Sequence, residues 1–118
     1  MDRQSRLRAN EDFQRVRREG RSWSSPLVVL IAAPNSFDHT RFGFAVGKRI
    51  GNAVTRNRVK RRLREAVRLR GESVAPGWDL VFVAREPIRD ATFGEIESAV
   101  CGLMARAQVA RCDGAHRS

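Results

Sequence analysis

Residues 26–33, Pro-Leu-Val-Val-Leu-Ile-Ala-Ala, are apolar at nearly every position, rich in β-branched side chains and bounded by Pro34 and Asn35. No polar face is left, so the pattern predicts a strand that is covered on both sides. Residues 41–46 predict a second strand, and the polar turn between them, with Asn35, Ser36, Asp38 and His39, suggests an antiparallel hairpin. The rhythm then changes. Val59, Leu63, Ala66 and Val67 recur at i, i+4, i+7 and i+8, the period of an amphipathic helix that starts near Asn52 or Thr55 and runs to Arg70, ahead of Gly71. A further buried strand follows at Trp78–Ala84, and two strands flanking a helix suggest a βαβ unit whose strands run parallel. A right-handed crossover is the default for such a unit.

Helices are also expected at both ends of the chain. Asn10 is a good N-cap, with Glu11 and Asp12 in the first turn, for a helix to about Arg18 that Gly20 can stop. Its inner face is thin, chiefly Phe13 and Val16. Thr92-Phe93-Gly94-Glu95 matches a capping box, and Ile96, Val100, Leu103 and Ala107 continue it as an apolar stripe. The tail from about residue 112 is expected to be frayed. There is no internal repeat, linker or low-complexity block, so residues 1–118 read as one domain. The order is helix, two or three strands, helix, strand, helix: an α+β fold, a single-domain α-β sandwich with one central sheet.

Composition sharpens this picture. A chain of 118 residues that is 42% hydrophobic can bury a core without metals or disulfides, and its net charge of +10 is an excess that usually seeks a polyanion. That excess is local. Residues 1–40 hold seven basic and five acidic side chains, residues 41–70 hold eleven and one, and residues 71–118 hold five and seven. The middle segment carries the whole imbalance, which makes nucleic acid the leading partner class.

Other chemistries find little support. The longest uncharged apolar run, residues 27–33, is far below the roughly 18 residues of a membrane span, and the polar N-terminus shows no secretory signal, so the expected location is cytoplasmic, without a membrane partner. Cys101 and Cys112, if both lie on the last helix, would be about 16 Å apart along its axis, too far for a disulfide, and are expected to be reduced. His39 stands beside Asp38 in a turn and His116 in the tail. No Ser/His/Asp or Cys/His set and no metal-ligand spacing can be drawn, so neither a catalytic residue nor a metal site is expected on the protein.

On the wheel of the central helix, Asn57, Arg61, Arg64 and Arg68 form a stripe opposite the apolar side, flanked by Arg58, Lys60 and Arg62. Like charges crowded at i, i+3 and i+4 mildly destabilise a free helix, and that cost suggests a use. Guanidinium groups bind phosphate oxygens bidentately and release condensed counterions, so the stripe suits a phosphate backbone. Just before it, residues 47–52 carry Gly47, Lys48, Arg49 and Gly51, an open turn that could bring phosphate towards the helix N-terminus. The Gly-x4-Gly-Lys-Ser/Thr spacing is absent, so nucleotide hydrolysis is disfavoured.

The run from Arg41 to Glu65, RFGFAVGKRIGNAVTRNRVKRRLRE, closely resembles the signature of the bacterial ribonuclease P protein subunit, with Arg56-Asn57-Arg58 as the core of its "RNR" motif. Similarity continues through Arg6-Leu7, residues 10–15 and residues 79–85, and so covers most of residues 6–107. The resemblance implies the αβββαβα fold with a left-handed βαβ crossover, of the ribosomal protein S5 domain 2-like type. It implies a ribonucleoprotein endonuclease that removes the 5′ leader of precursor tRNA, in which the RNA subunit and its Mg²⁺ ions perform the hydrolysis and the protein holds no cofactor. The partners would be ribonuclease P RNA and precursor tRNA. Lys48, Arg49, Arg56, Asn57, Arg58, Lys60, Arg61, Arg64 and Arg68 would face the catalytic RNA.

The same resemblance implies a second site, a cleft between the first helix and the sheet that holds the single-stranded leader through stacked aromatics. Phe13 matches that pattern, and Arg17, Val28 and Leu30 are the other expected members. Arg17 and Leu30 stand where relatives often carry aromatics, so reduced base stacking is expected, with the Arg17 guanidinium as a substitute. A ribosomal-type rRNA-binding protein would share the size, charge and lack of catalytic residues. A DNA-binding basic helix is disfavoured, since neither a dimerising heptad nor a helix-turn-helix is present.

Overall fold

The elements follow the order α1 (Asn10–Glu19), β1 (Arg21–Ser24), β2 (Val28–Pro34), β3 (Arg41–Ala45), α2 (Ala53–Arg68), β4 (Trp78–Ala84) and α3 (Phe93–Arg106). They are seen in a computed structural model that describes Arg6, Leu7 and residues 10–110. The tail expected to fray lies outside these residues. Local signals explain the helix ends. The Asn52 side chain accepts a hydrogen bond from the Thr55 backbone N–H and caps α2, and Gly51 before it has φ 154°, a conformation that side-chain-bearing residues rarely adopt. Both halves of the Thr92–Glu95 capping box are present at the start of α3.

Strands β2 and β3 do not form the expected hairpin. β4 lies between them, antiparallel to β2 and parallel to β3, and the sheet order is β1-β2-β4-β3. A short polar turn permits hairpin pairing but does not require it. β4, with Asp79, Leu80, Val81 and Phe82 all buried, needs cover on both faces and neighbours on both edges, and takes the centre; β3, shorter and carrying Gly43, takes an edge. The parallel β3-α2-β4 unit is present as expected. β1 is the third strand before α2 and pairs with the other edge of β2.

The two faces of the sheet are covered unequally. α2 and α3 pack over one face, where Val59, Leu63, Ala66 and Val67 of α2 meet Val28, Leu30, Phe42, Leu80 and Phe82. On the other face α1 is the one helix among the described residues, with Val16 and Leu7 packed on Ala33 and Val81, and with Phe13, Ile31 and Val83 partly buried around them. α3 ends at Arg106 and the chain turns at Gln108, φ 62°, so that Val109 enters the core. The separation expected for the cysteines assumed one continuous helix to residue 112, which this turn rules out. Cys101 is buried and disulfide-bonded rather than reduced, and Cys112 lies outside the described residues.

Asp79 is fully buried on the α1 side of the sheet. Arg41, its direct neighbour in register on β3, donates to both of its carboxylate oxygens at 2.9 and 2.7 Å; Asn35 donates to one oxygen at 2.8 Å, and Arg15 of α1 donates to the other. Asp12 of α1 in turn lies 3.5 Å from Arg41. Burial pushes the Asp79 carboxyl up, but the hydrogen bonds from Arg41 and Asn35 and the charges of Arg41 and Arg15 together hold it below its ordinary value. A depressed carboxyl stabilises the fold above its unfolded pKa of about 3.9, and that contribution is lost as pH falls through the lower folded value. Urea titrations should therefore show stability declining below about pH 4, and Asp79→Asn, less stable at pH 7, should show a flatter decline over that range. An unchanged acid limb in the variant would assign the loss to other carboxylates.

Candidate nucleic-acid interface

The buried stripe of α2 leaves its polar and basic side chains on a crest and two flanks. Asn57, Arg61 and Arg68 are exposed along the crest of the helix. On one flank Arg58 donates to the Arg89 carbonyl at 3.3 Å and Arg62 to the Ala91 carbonyl at 3.1 Å, so these two arginines also tie α2 to the 3-10 turn at Glu86–Asp90 and the residue after it. On the other flank, Lys60 and Arg64 lean over the outer edge of β3, where the Leu7 backbone N–H donates to the Phe42 carbonyl at 2.8 Å, and the Arg64 guanidinium lies 5.8 Å from the centre of the Phe44 ring. Arg56 is half-buried near the start of the helix. Arg68 is not a free donor: it grips Glu65 with bonds of 2.9 and 2.6 Å, and this pairing holds the Glu65 carboxyl below its usual value. Of the expected RNA-facing residues on α2 itself, Asn57 and Arg61 are thus exposed and, among the described residues, unengaged, with Lys60 and Arg64 half-buried beside them.

Lys48 and Arg49 are exposed on a 3-10 turn, Lys48–Ile50, pinned by the buried Ile50. The turn packs against Glu86–Asp90 and borders a hollow of about 550 Å³. Ala45 and Val83 contribute to that hollow from the sheet, and Arg17 of α1, Arg49 and Arg85 stand around it. A smaller hollow of about 290 Å³ lies at the β3 edge, between Phe13, Gly43, Lys60 and Arg64. Here a Cβ on Gly43 would lie 2.8 Å from two carbons of the Phe13 ring, so the glycine is what lets the ring rest on the strand backbone. Phe13 and Arg17, four residues apart on α1, therefore sit over successive α1-facing β3 positions, Gly43 and Ala45.

Val28 and Leu30 do not belong to this cleft. They are fully buried on the opposite face, in the core under α2 and α3. The residues of β2 that face α1 are Ile31 and Ala33, because side chains of a strand alternate between faces and a slip of one position exchanges them. Arg6, Gly43, Ala45, Val83 and Arg85 are cleft residues that no sequence pattern had singled out. For Val83 a signal was there, since it alternates with the core residue Phe82 in β4. Among the described residues there is no group of three His, Cys, Asp or Glu that could hold a metal ion, and no helix is long and apolar enough to cross a membrane.

A family model described as Ribonuclease P matches residues 1–108. The ribonuclease P protein component of Roseiflexus castenholzii is 50% identical over 110 residues, 92% of this chain and 90% of that protein. The corresponding protein of Herpetosiphon aurantiacus is 47% identical over 109 residues, 92% of this chain and 89% of its own length. Among solved structures, the Staphylococcus aureus RNase P protein superposes with a TM-score of 0.85 at 32% identity, covering 91% of this chain and 98% of that one. The RNase P protein from Thermotoga maritima gives 0.79 at 28% identity, covering 86% and 96%.

If the crest and the β3-side flank of α2 meet phosphates, replacing Arg61 and Arg64 with Ala should weaken binding to folded RNA and flatten its dependence on salt. The expected change in slope is roughly 0.7 to 0.9 log units for each phosphate that is no longer neutralised. Filter-binding titrations across a salt series measure it, and an unchanged slope would mean that the two arginines are merely solvated.

Proposed function

The chain belongs to the ribonuclease P protein family, and on that premise we propose that it binds the catalytic RNA through α2 and the 5′ leader of precursor tRNA through the groove beside α1. The observation that carries this reading is the division of the basic side chains between two surfaces. Lys60, Arg61 and Arg64 lie along the outward side of α2 with no acidic side chain between them, an array suited to the outside of a folded RNA. The second surface is concave: Arg17, Arg49 and Arg85, with Glu86 as the one acid among them, surround apolar strand residues, and Phe13 stands next along β3. A groove with a cationic rim and an aromatic platform suits an extended single strand, whose bases stack while its backbone meets the charges. Lys48 and Arg49 lie on the turn between strand and helix, where both RNAs would approach.

In this reading the chemistry belongs to the RNA subunit and its Mg²⁺ ions. The protein contributes binding and orientation, by neutralising phosphate charge at the junction of the two RNAs, and takes neither a DNA nor a membrane partner. It would work in the cytoplasm, where precursor tRNA is made.

Reconstitution tests the proposal. Added to a bacterial ribonuclease P RNA at low Mg²⁺, the protein should stimulate removal of the leader from precursor tRNA, and the stimulation should fade as Mg²⁺ is raised. Absence of stimulation at any Mg²⁺ concentration would sink it.

A further inference from the structure

Helix α1 is ten residues long, too short to hold its shape unaided, and Val16 is its one fully buried residue. That buried pivot, with the Phe13 ring seated on Gly43 to one side, blocks a roll of the helix in one direction and leaves the other open. On the helical wheel Asp12 and Arg15 lie on one side of Val16, and Phe13 and Arg17 on the other. The first pair is held: Asp12 reaches Arg41, and Arg15 reaches Asp79. Arg41 and Asp79 are paired across β3 and β4 and joined by two hydrogen bonds, with Asn35 as a further donor to Asp79. The four charges alternate in sign along a chain of contacts that closes into a ring through α1, which carries both of its ends, so the ring adds orientation without adding net charge. Phe37, whose ring centre lies 4.7 Å from the Arg41 guanidinium, covers it from outside.

We infer that the Asp12–Arg41–Asp79–Arg15 ring sets the roll of α1, so that Arg15 is a positioning residue for the leader groove, acting through Phe13 and Arg17. This rests on the proposed function above. A roll of about 20° about an axis roughly 5 to 6 Å from the side-chain tips displaces those tips by about 2 Å. Phe13 has no room for that in one direction, because its ring already sits against the Gly43 backbone. In the other direction it leaves the strand, and the stacking surface disappears.

The test uses the reconstituted holoenzyme and compares its dissociation constants for tRNA with and without a leader. In the wild type the leader should tighten binding. Arg15→Ala should reduce that leader contribution about tenfold, the size of effect expected when a binding group is displaced rather than removed. Its affinity for ribonuclease P RNA and the salt slope of that binding should stay as in the wild type, because α2 does not touch the ring. Arg15→Lys should recover most of the leader contribution, since Arg15 meets Asp79 through one nitrogen, which an ammonium can replace. A folded Arg15→Ala holoenzyme with a full leader contribution would overturn the inference. Should that variant fail to fold, Asp12→Asn opens the ring at its other α1 member, and the same ratio decides. A wild-type holoenzyme indifferent to the leader would overturn both the leader reading and this inference.

Discussion

Strand β4 is bonded along both edges, and because it runs parallel to β3 the chain between them must cross a face of the sheet. That crossing is α2. Its apolar stripe is consumed by the sheet and α3, so whatever lies opposite the stripe is presented to solvent on a helix that cannot turn away. α3 follows on the same face, which among the described residues leaves the other to α1 and Leu7. One short helix cannot cover a four-stranded sheet, and the uncovered remainder is the groove lined by Ala45 and Val83. Both candidate surfaces thus follow from the place of one strand.

The charge density of α2 is compatible with folding because much of it is tied down. Arg58 and Arg62 donate to carbonyls after β4, Arg68 grips Glu65, and just past the helix end Arg70 lies 3.4 Å from Glu97 of α3. Each remaining like-charge pair on a helix surface costs about 0.2 to 0.5 kcal/mol, whereas a buried Leu or Val contributes roughly 1.5 to 3 kcal/mol. Val59, Leu63, Ala66 and Val67 therefore outweigh the repulsion of the exposed residues. Arginines that serve the fold and arginines free for a ligand occupy the same sixteen-residue helix, separated by which flank they leave.

Periodicity made α2, its two sides and both caps legible in the sequence, because those features depend on neighbours within one or two turns. Strand pairing was not legible. An apolar strand such as β2 announces that it is buried, without naming what lies beside it, so the hairpin with β3 was a reasonable but incorrect expectation. The surface beside α1 was half legible: Phe13 and Arg17 line two neighbouring hollows there, whereas Val28 and Leu30 face the other side of a strand that is apolar on both. The ring around Asp79 joins positions 12, 15, 41 and 79, and no local pattern could have assembled it. The turn at Gln108 that undid the expectation for the cysteines was equally silent.

β3 carries a further consequence of strand geometry. Successive residues point to opposite faces, so Gly43 lies under Phe13 on the α1 side while Phe44 lies under Arg64 and stacks on Phe82 on the α2 side. In the proposed reading Phe13 belongs to the leader groove and Arg64 to the surface for catalytic RNA. Adjacent residues of one strand therefore seat a group from each, and the strand is hydrogen-bonded to the buried centre of the sheet. The distance between the two surfaces is then set by covalent geometry and a ladder of backbone bonds rather than by a loop. In that reading, a substrate held on one side and a catalytic RNA held on the other would meet at a separation that thermal motion alters little, which is what a proposed orienting role requires of the strand.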